Sequence, residues 1–338
     1  MKTETIVFTA PGAVEIQSSE VRELNAEEVL VKLVISTISS GTERANLVGE
    51  RNVSVAEHSN EARFPRILGY SSSGIVEKVG EKVDGIKPGD RVALSWSVHS
   101  KYVIVNQKNV HKIVDEAVSF EEAALWHIGT FPLAAIRKCR LEIGESAIVM
   151  GMGVLGLVAI KLLRAAGAAP VIAVDPSEAK RKQALEIGAD FAFDPFAADF
   201  AERVKVVTNG GVNVAIEVTG NGGALDGVLD CMKKHGRVAL LGCTRHSDFT
   251  IDYYRKVHGP GISLIGAHTL ARPNIESYPG YWTTHDDVMA MQRLYQCGRL
   301  KLSDLIEETH SPLDALEVYT RLANDSMFPV VQFDWRKL

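Results

Sequence analysis

SAIVMGMGVLGLVAIKLL, residues 146–163, decides how the rest of the chain is read. Its first residues form a short aliphatic run of the kind that makes a buried strand, and beyond Val154 the apolar positions fall at helical spacing. Between them stands Gly151-Met152-Gly153-Val154-Leu155-Gly156. The first glycine permits a tight turn and the second lets a pyrophosphate approach the backbone. The third lets helix and strand pack closely, so that the helix N-terminus faces the anion. A lone G-x-G-x-x-G match is weak, whereas one set between a strand and a helix is strong. Gly151, Gly153, Val154, Leu155 and Gly156 are therefore expected to hold the diphosphate of a dinucleotide.

The same rhythm continues on the C-terminal side. "PVIAVD", "DFAFD", "NVAIEVT", "GRVALLG" and "ISLIGA" are short aliphatic runs separated by helical stretches, which predicts a parallel sheet covered on both faces. The second strand ends in Asp175, 24 residues on from Gly151, near the offset of about 20 at which an acid meets the adenosine ribose. A carboxylate there accepts ribose hydroxyls and repels a 2′-phosphate, so NAD is expected over NADP. Alternatively, Asp175 caps a helix beginning at Pro176. Lys180 either reaches the same ribose or is a solvated surface lysine. Ligands of open α/β sheets bind at the carboxyl ends of the strands. Thr219 and Gly220, Gly242 and Cys243, and Ala267 with His268 stand at three such ends and are expected near the nicotinamide half, with turn formation as the plain alternative.

Residues 1 to about 115 differ in kind. They are rich in Val, Ile, Thr and Ser, with alternating runs such as "EEVLVKLVIST" and "KYVIVNQ" broken by turn residues, which marks a β-domain. From Ser119 a helix is expected over "SFEEAALWHIGTFPLAAIRK", and the tail offers two helices and a last strand, "PVVQFDW", without the βα rhythm. The expected division is 1–120, 121–268 and 269–338, with the third segment returning to the first. At 338 residues and 46% hydrophobic, the chain is long enough for two cores. Its formal charge of -5, with 37 basic and 42 acidic residues well mixed, excludes a broad nucleic-acid surface. Four scattered cysteines exclude a disulfide framework, and no apolar run is long enough to cross a bilayer, so a cytoplasmic protein is expected.

Taken together, "GTE" (41–43), "PRILGYSSSGIVEKVG" (65–80), "KPGDRVAL" (87–94), "GMGVLG" with Asp175, and "GVNVAIEVTG" (211–220) resemble the medium-chain dehydrogenase/reductase superfamily across essentially the whole chain. The resemblance implies an α/β protein with a GroES-like β-domain and an inserted Rossmann domain built on a doubly wound parallel sheet. It also implies a homodimer, paired through "ISLIGA". Zinc-bearing members place a Cys, a His and a third Cys or Glu where this sequence has Ser40, Tyr70 and either Trp126 or His127. The four-cysteine structural lobe after the GDRV strand is also missing. Serine and tyrosine hydroxyls are poor zinc ligands, so no metal is expected; a site rebuilt from Glu43, His99 and His127 is the alternative. The replacements look like a zinc-free branch similar to threonine-dehydrogenase-like and bacteriochlorophyllide-dehydrogenase-like members.

Without a metal, the reacting oxygen needs other partners and its proton needs a route. Thr42, Tyr70, His127 and Ser40 are the expected catalytic groups, with backbone contacts in a turn for Thr42, aromatic packing for Tyr70 and a hydrogen-bonded structural role for His127 as the plain alternatives, and with His99 as a further shuttle and Glu43–Arg44 as an internal pair. The loop "NIESYPGYWTTHDD", with Tyr278, Tyr281, Trp282 and His285, suits stacking on a ring or polyol, or packing. The expected activity is a zinc-independent NAD(H)-dependent dehydrogenase or ketoreductase of a polar alcohol or ketone: a polyol, sugar or cyclitol. Its rivals are a quinone or enone reductase and a catalytically silent nucleotide-binding regulatory protein. Elemental analysis of the purified protein is expected to find far less than one zinc per chain, and 1,10-phenanthroline is expected to leave NAD-linked turnover intact. One zinc per chain, with activity lost to the chelator and restored by the metal, overturns this reading.

Overall fold

The computed structural model describes residues 1–50, 52–53, 63–247 and 249–338. They form two compact units, Met1–Ile128 with Val288–Leu338, and Gly129–Asp287. The first contains β1 (Lys2–Ala10), β2 (Ala13–Glu20), β3 (Glu28–Thr37), α1 (Ser40–Leu47), β4 (Arg66–Ile67), β5 (Ser71–Val79), β6 (Arg91–Ser95), β7 (Tyr102–Asn106), β8 (Val110–Lys112) and α2 (Phe120–Ala123). β1 lies between β2 and β4 in a small antiparallel sheet. The larger sheet is organised around β3, which pairs antiparallel with both β5 and β7. Covered on both faces, β3 has the near-continuous apolar run EVLVKLVIST, whereas β7 alternates buried and half-buried residues. This is the GroES-like unit.

The helix expected from Ser119 is broken in two. Ser119 does cap it, its hydroxyl accepting the Glu122 N–H at 3.1 Å. The chain then tightens, with the Leu125 N–H reaching back three residues to the Glu122 carbonyl, and restarts as α3 (Trp126–Lys138).

The second unit alternates β9 (Ala147–Met150), α4 (Val154–Ala165), β10 (Val171–Val174), α5 (Glu178–Glu186), β11 (Phe191–Phe193), α6 (Phe200–Val207), β12 (Val212–Glu217), α7 (Gly222–Asp230), β13 (Met232–Leu240) and β14 (Ser263–Gly266). The strands are all parallel, in the order β11-β10-β9-β12-β13-β14. This is the Rossmann order, whose direction reverses between β9 and β12. β9 and β10 are buried along their whole length, which is why their sequences are continuously aliphatic.

The tail supplies α8 (Thr284–Gln296), β15 (Glu308–His310), α9 (Ala315–Asn324) and β16 (Val331–Asp334). β16 runs antiparallel to β3, with Phe333 opposite Ser36.

A polar knot lies inside the apolar core of the first unit. Glu43 on α1 is fully buried. Its carboxylate accepts the Ser39 N–H at 2.8 Å and the Tyr319 hydroxyl at 2.5 Å, and lies 3.1 Å from His99 Nε2. The Trp335 indole donates to Ser36 Oγ, and Ser36 in turn meets His99 Nδ1 at 2.7 Å. With the indole as donor, the Ser36 hydrogen points to Nδ1, leaving the Nε2 hydrogen for Glu43. Burial first, and the Glu43 charge second, push the Tyr319 phenol well above its ordinary pKa, so it stays a donor. The expected Glu43–Arg44 pair is not what forms: Glu43 turns inward to these partners and Arg44 is exposed. Tyr319→Phe is expected to remove one donor from a buried carboxylate and to destabilise the first unit by about 1–3 kcal/mol, read as a lowered urea midpoint. An unchanged midpoint would show the bond to be dispensable.

Candidate active site

The turn from β3 into α1 presents Ser39, Ser40 and Thr42, and the turn from β4 into β5 presents Tyr70. Gly69 makes the second turn possible: its φ is +101°, and a Cβ there would lie 2.8 Å from the His99 backbone nitrogen. The Tyr70 hydroxyl donates a short hydrogen bond to Ser39 Oγ, and the Tyr70 carbonyl accepts the Trp96 N–H at 2.9 Å. His127, in the first turn of α3, sets its ring edge-on at 5.7 Å from Tyr70 and 4.9 Å from Trp96. Ser71 fixes that turn, donating to the Ala124 carbonyl and accepting the Ile128 N–H. Trp126 and His127 are both buried, and the His127 ring meets Tyr70.

Ser40 and Thr42 are half-buried in the first turn of α1. It is Ser39, one residue before the position of interest, that reaches Tyr70. Trp96 also escaped the sequence reading. It is 42% exposed and carries a φ of +58°, a strained conformation for a bulky side chain that only three-dimensional structure reveals. His99 lies in the core, buried, with its ring nitrogens bonded to Ser36 and Glu43, which gives it a structural place in the first unit.

Among the described residues, no three His, Cys, Asp or Glu side chains are gathered as a metal site. The nearest oxygens belong to hydroxyls already bonded to one another, and the Glu43 carboxylate is occupied by three partners. Around Tyr70 this leaves hydroxyls and the single His127 imidazole, which do not fit zinc with its three or four thiolate, imidazole or carboxylate ligands.

The second unit fits a dinucleotide. Gly151 has φ +101°, and a Cβ would strike the Thr219 side chain at 2.8 Å; at Gly156 it would overlap the Gly151 carbonyl at 1.8 Å. At Gly153, which caps α4, it would meet nothing within 4 Å. The backbone is thus bare on the side where the first N–H groups of α4, including those of Val154 and Leu155, lack intrahelical acceptors. Asp175 accepts the Met152 N–H and the Ser177 N–H, each at 2.8 Å, on different oxygens. A further lone pair remains on each for a ribose hydroxyl. The helix cap is Ser177, not Asp175, and α5 starts at Glu178 rather than Pro176. Lys180 is buried, not solvated, with its ammonium 3.5 Å from Gln183 Oε1.

At the end of β12, Glu217 organises the Thr219 loop, accepting from the Thr219 N–H and hydroxyl and from the Gly220 N–H. Burial raises its pKa against those hydrogen bonds. The only sign of Glu217 in the sequence is an acid closing an apolar run. Gly220 and Gly242 interlock: a Cβ on the first would lie 2.4 Å from the Cys243 carbonyl, and on the second 2.2 Å from the Gly220 nitrogen. After β14, Ala267 N–H bonds the Leu240 carbonyl, and His268 Nδ1 accepts the Leu270 N–H. Desolvation, then nearby Lys138, lowers the His268 pKa and favours the neutral ring. The aromatic loop is already packed locally. Arg137 lies 3.6 Å over the Trp282 ring, and Tyr278 stacks on Tyr281 at 5.1 Å.

The model of the alcohol dehydrogenase GroES-like domain matches residues 25–131, and that of the zinc-binding dehydrogenase matches 154–283. An L-threonine 3-dehydrogenase of Pyrococcus horikoshii is 27% identical, over 94% of each chain. A D-guloside 3-dehydrogenase of Escherichia coli is 26% identical, over 93% of this chain and 94% of its own. Galactitol-1-phosphate dehydrogenase from Escherichia coli superposes with a TM-score of 0.84 at 22% identity, over 98% of this chain and 99% of that one.

Burial pushes the Cys139 and Cys231 thiols up to about 12, whereas Cys243 and Cys297 are exposed. A disulfide reagent such as 5,5′-dithiobis(2-nitrobenzoate) is therefore expected to label Cys243 and Cys297 alone, and NADH to slow labelling at Cys243 without affecting Cys297. Equal labelling of Cys243 with and without NADH removes that residue from the coenzyme site.

Proposed function

The chain belongs to the medium-chain dehydrogenase/reductase superfamily of zinc-type alcohol dehydrogenases, and within it we propose an enzyme that works without zinc, uses NAD(H), and acts on a polyol, sugar or cyclitol or the matching ketone. It is an NAD(P)-dependent oxidoreductase of CH–OH groups. The finer reading is carried by one observation. Where zinc-bearing members have an imidazole ligand, this chain has the Tyr70 hydroxyl, bonded to Ser39 and edged by His127. The match to a zinc-binding dehydrogenase model gives the lineage; the ligand positions are where this chain departs from it.

The first unit acts as the catalytic domain and the second as the coenzyme domain. Gly151, Gly153, Val154, Leu155 and Gly156 hold the diphosphate, and Asp175 holds the adenosine ribose, with Lys180 beside it. Thr219, Gly242, Cys243, Ala267 and His268 border the nicotinamide half. When bound, NAD⁺ accepts a hydride from the carbon that bears the hydroxyl. Tyr70 hydrogen-bonds the substrate oxygen, Thr42 and Ser40 add hydroxyl partners, and His127 supplies an imidazole suited to exchanging the proton near neutral pH. Polar groups in these numbers favour a hydroxyl-rich substrate, and relatives named for guloside, threonine and sorbitol support that class. The outer edge of β14 suits pairing with a second copy, giving a homodimer. Four free cysteines suit the reducing cytosol, and among the described residues no helix is long and apolar enough to cross a membrane.

NADH formation is expected with at least one of sorbitol, myo-inositol, methyl α-D-glucoside and L-threonine, with NAD preferred to NADP. NADPH-linked reduction of cyclohexenone with no alcohol turnover would instead make the protein an enone reductase. Tight NADH binding with no turnover would make it a silent binding protein.

A further inference from the structure

Ser39 is the N-cap residue of α1, yet its side chain makes no cap hydrogen bond. A serine there ordinarily turns its oxygen back to an N–H of the first helical turn. Here Oγ faces the other way and receives the Tyr70 hydroxyl. Its backbone is held independently, since the Ser39 N–H is bound by Glu43, whose carboxylate is locked by Tyr319 and His99. The residue is 5% exposed and sits at φ -92°, ψ 87°, away from the extended conformation usual for a cap. A cap has been given up and the hydroxyl redirected, on a backbone fixed by a buried carboxylate.

We propose that Ser39 is the positioning residue for Tyr70, switching from acceptor to donor as the Tyr70 proton moves to the substrate oxygen. This rests on the reading of Tyr70 as the group that meets that oxygen. A serine hydroxyl can both accept and donate. At rest it accepts from the phenol. In ketone reduction the phenol hydrogen first turns from Ser39 Oγ to the carbonyl oxygen; the Tyr70 O–H bond then breaks as the O–H bond of the product alcohol forms, while the carbonyl carbon takes the hydride that bound NADH would supply. The Ser39 hydrogen swings onto the phenolate, where a charge-assisted bond is stronger than the neutral one it replaces, and a proton from water restores the phenol. Alcohol oxidation runs through the same positions in reverse. Glu43, His99 and Tyr319 act one step further back, fixing the Ser39 backbone so that this rotation is about the side chain alone.

The test compares wild type, Ser39→Ala, Ser39→Thr, Tyr70→Phe and the double variant Ser39→Ala/Tyr70→Phe, with sorbitol and myo-inositol as probes and NAD as coenzyme. Ser39→Ala is expected to lower kcat by roughly tenfold or more, the scale of one lost transition-state hydrogen bond, with KM, NADH affinity by fluorescence and melting temperature little changed. It is also expected to raise the solvent deuterium isotope effect on kcat, because proton movement becomes slower. Ser39→Thr keeps the hydroxyl and is expected to recover most of the rate. The double variant is expected to be no slower than Tyr70→Phe alone, as two residues acting through one proton are not additive. A normal kcat in Ser39→Ala beside a crippled Tyr70→Phe, or additive losses in the double variant, overturns the proposal and leaves Tyr70 in place. A normal rate in Tyr70→Phe, or no turnover by wild type of sorbitol, myo-inositol, methyl α-D-glucoside or L-threonine, the variants being compared on whichever of them is turned over, fails the reading beneath it.

Discussion

The first unit is organised around one buried carboxylate. Glu43 is fully buried, so its charge must be balanced by donors that the fold brings in: the nearby Ser39 N–H in the β3–α1 turn, and two from distant parts of the chain, the β6–β7 connection and α9. Such a group is costly when half satisfied. Each donor therefore holds its own element in register. The tail is bound to the start of the chain by Tyr319 and Trp335 as well as by the β3–β16 ladder. Ser39, which receives the Tyr70 hydroxyl, is held to this knot through its own backbone N–H.

The coenzyme unit reaches rigidity by another route, close approach of backbone to backbone. Gly151, Gly156, Gly220 and Gly242 stand where a methyl group would collide with main chain or a neighbouring side chain, while Gly153, in the same motif as the first two, opens on free space. Four positions are glycine because the protein fills the space. Gly153 is glycine where the protein leaves the space open, at the N-terminus of α4.

Much of the fold was legible in the sequence because its signals are local. Continuous aliphatic runs mark buried parallel strands, alternation marks the β-unit, and strand, glycine loop and helix lie within eighteen residues of one another. The candidate site was less legible because its decisive contacts are not local. Glu43 and Tyr319 lie 276 residues apart, and nothing in either neighbourhood names the other. Ser39 and Ser40 are adjacent and chemically identical; their places in the fold separate them, Ser39 being the buried cap residue bonded to Tyr70 and Ser40 half-buried in the first turn of α1. His99 looked like a candidate shuttle because an imidazole is reactive when free, and the sequence carries no mark of the two bonds that occupy it. The break between α2 and α3 was hidden for a similar reason: its residues are good helix formers, and only the backbone hydrogen bonds reveal it.

The interlocked turns at Gly220 and Gly242 have an evolutionary corollary. Because each occupies the volume the other would need for a side chain, the pair must drift together or not at all, and lengthening one turn requires a matching concession in its neighbour.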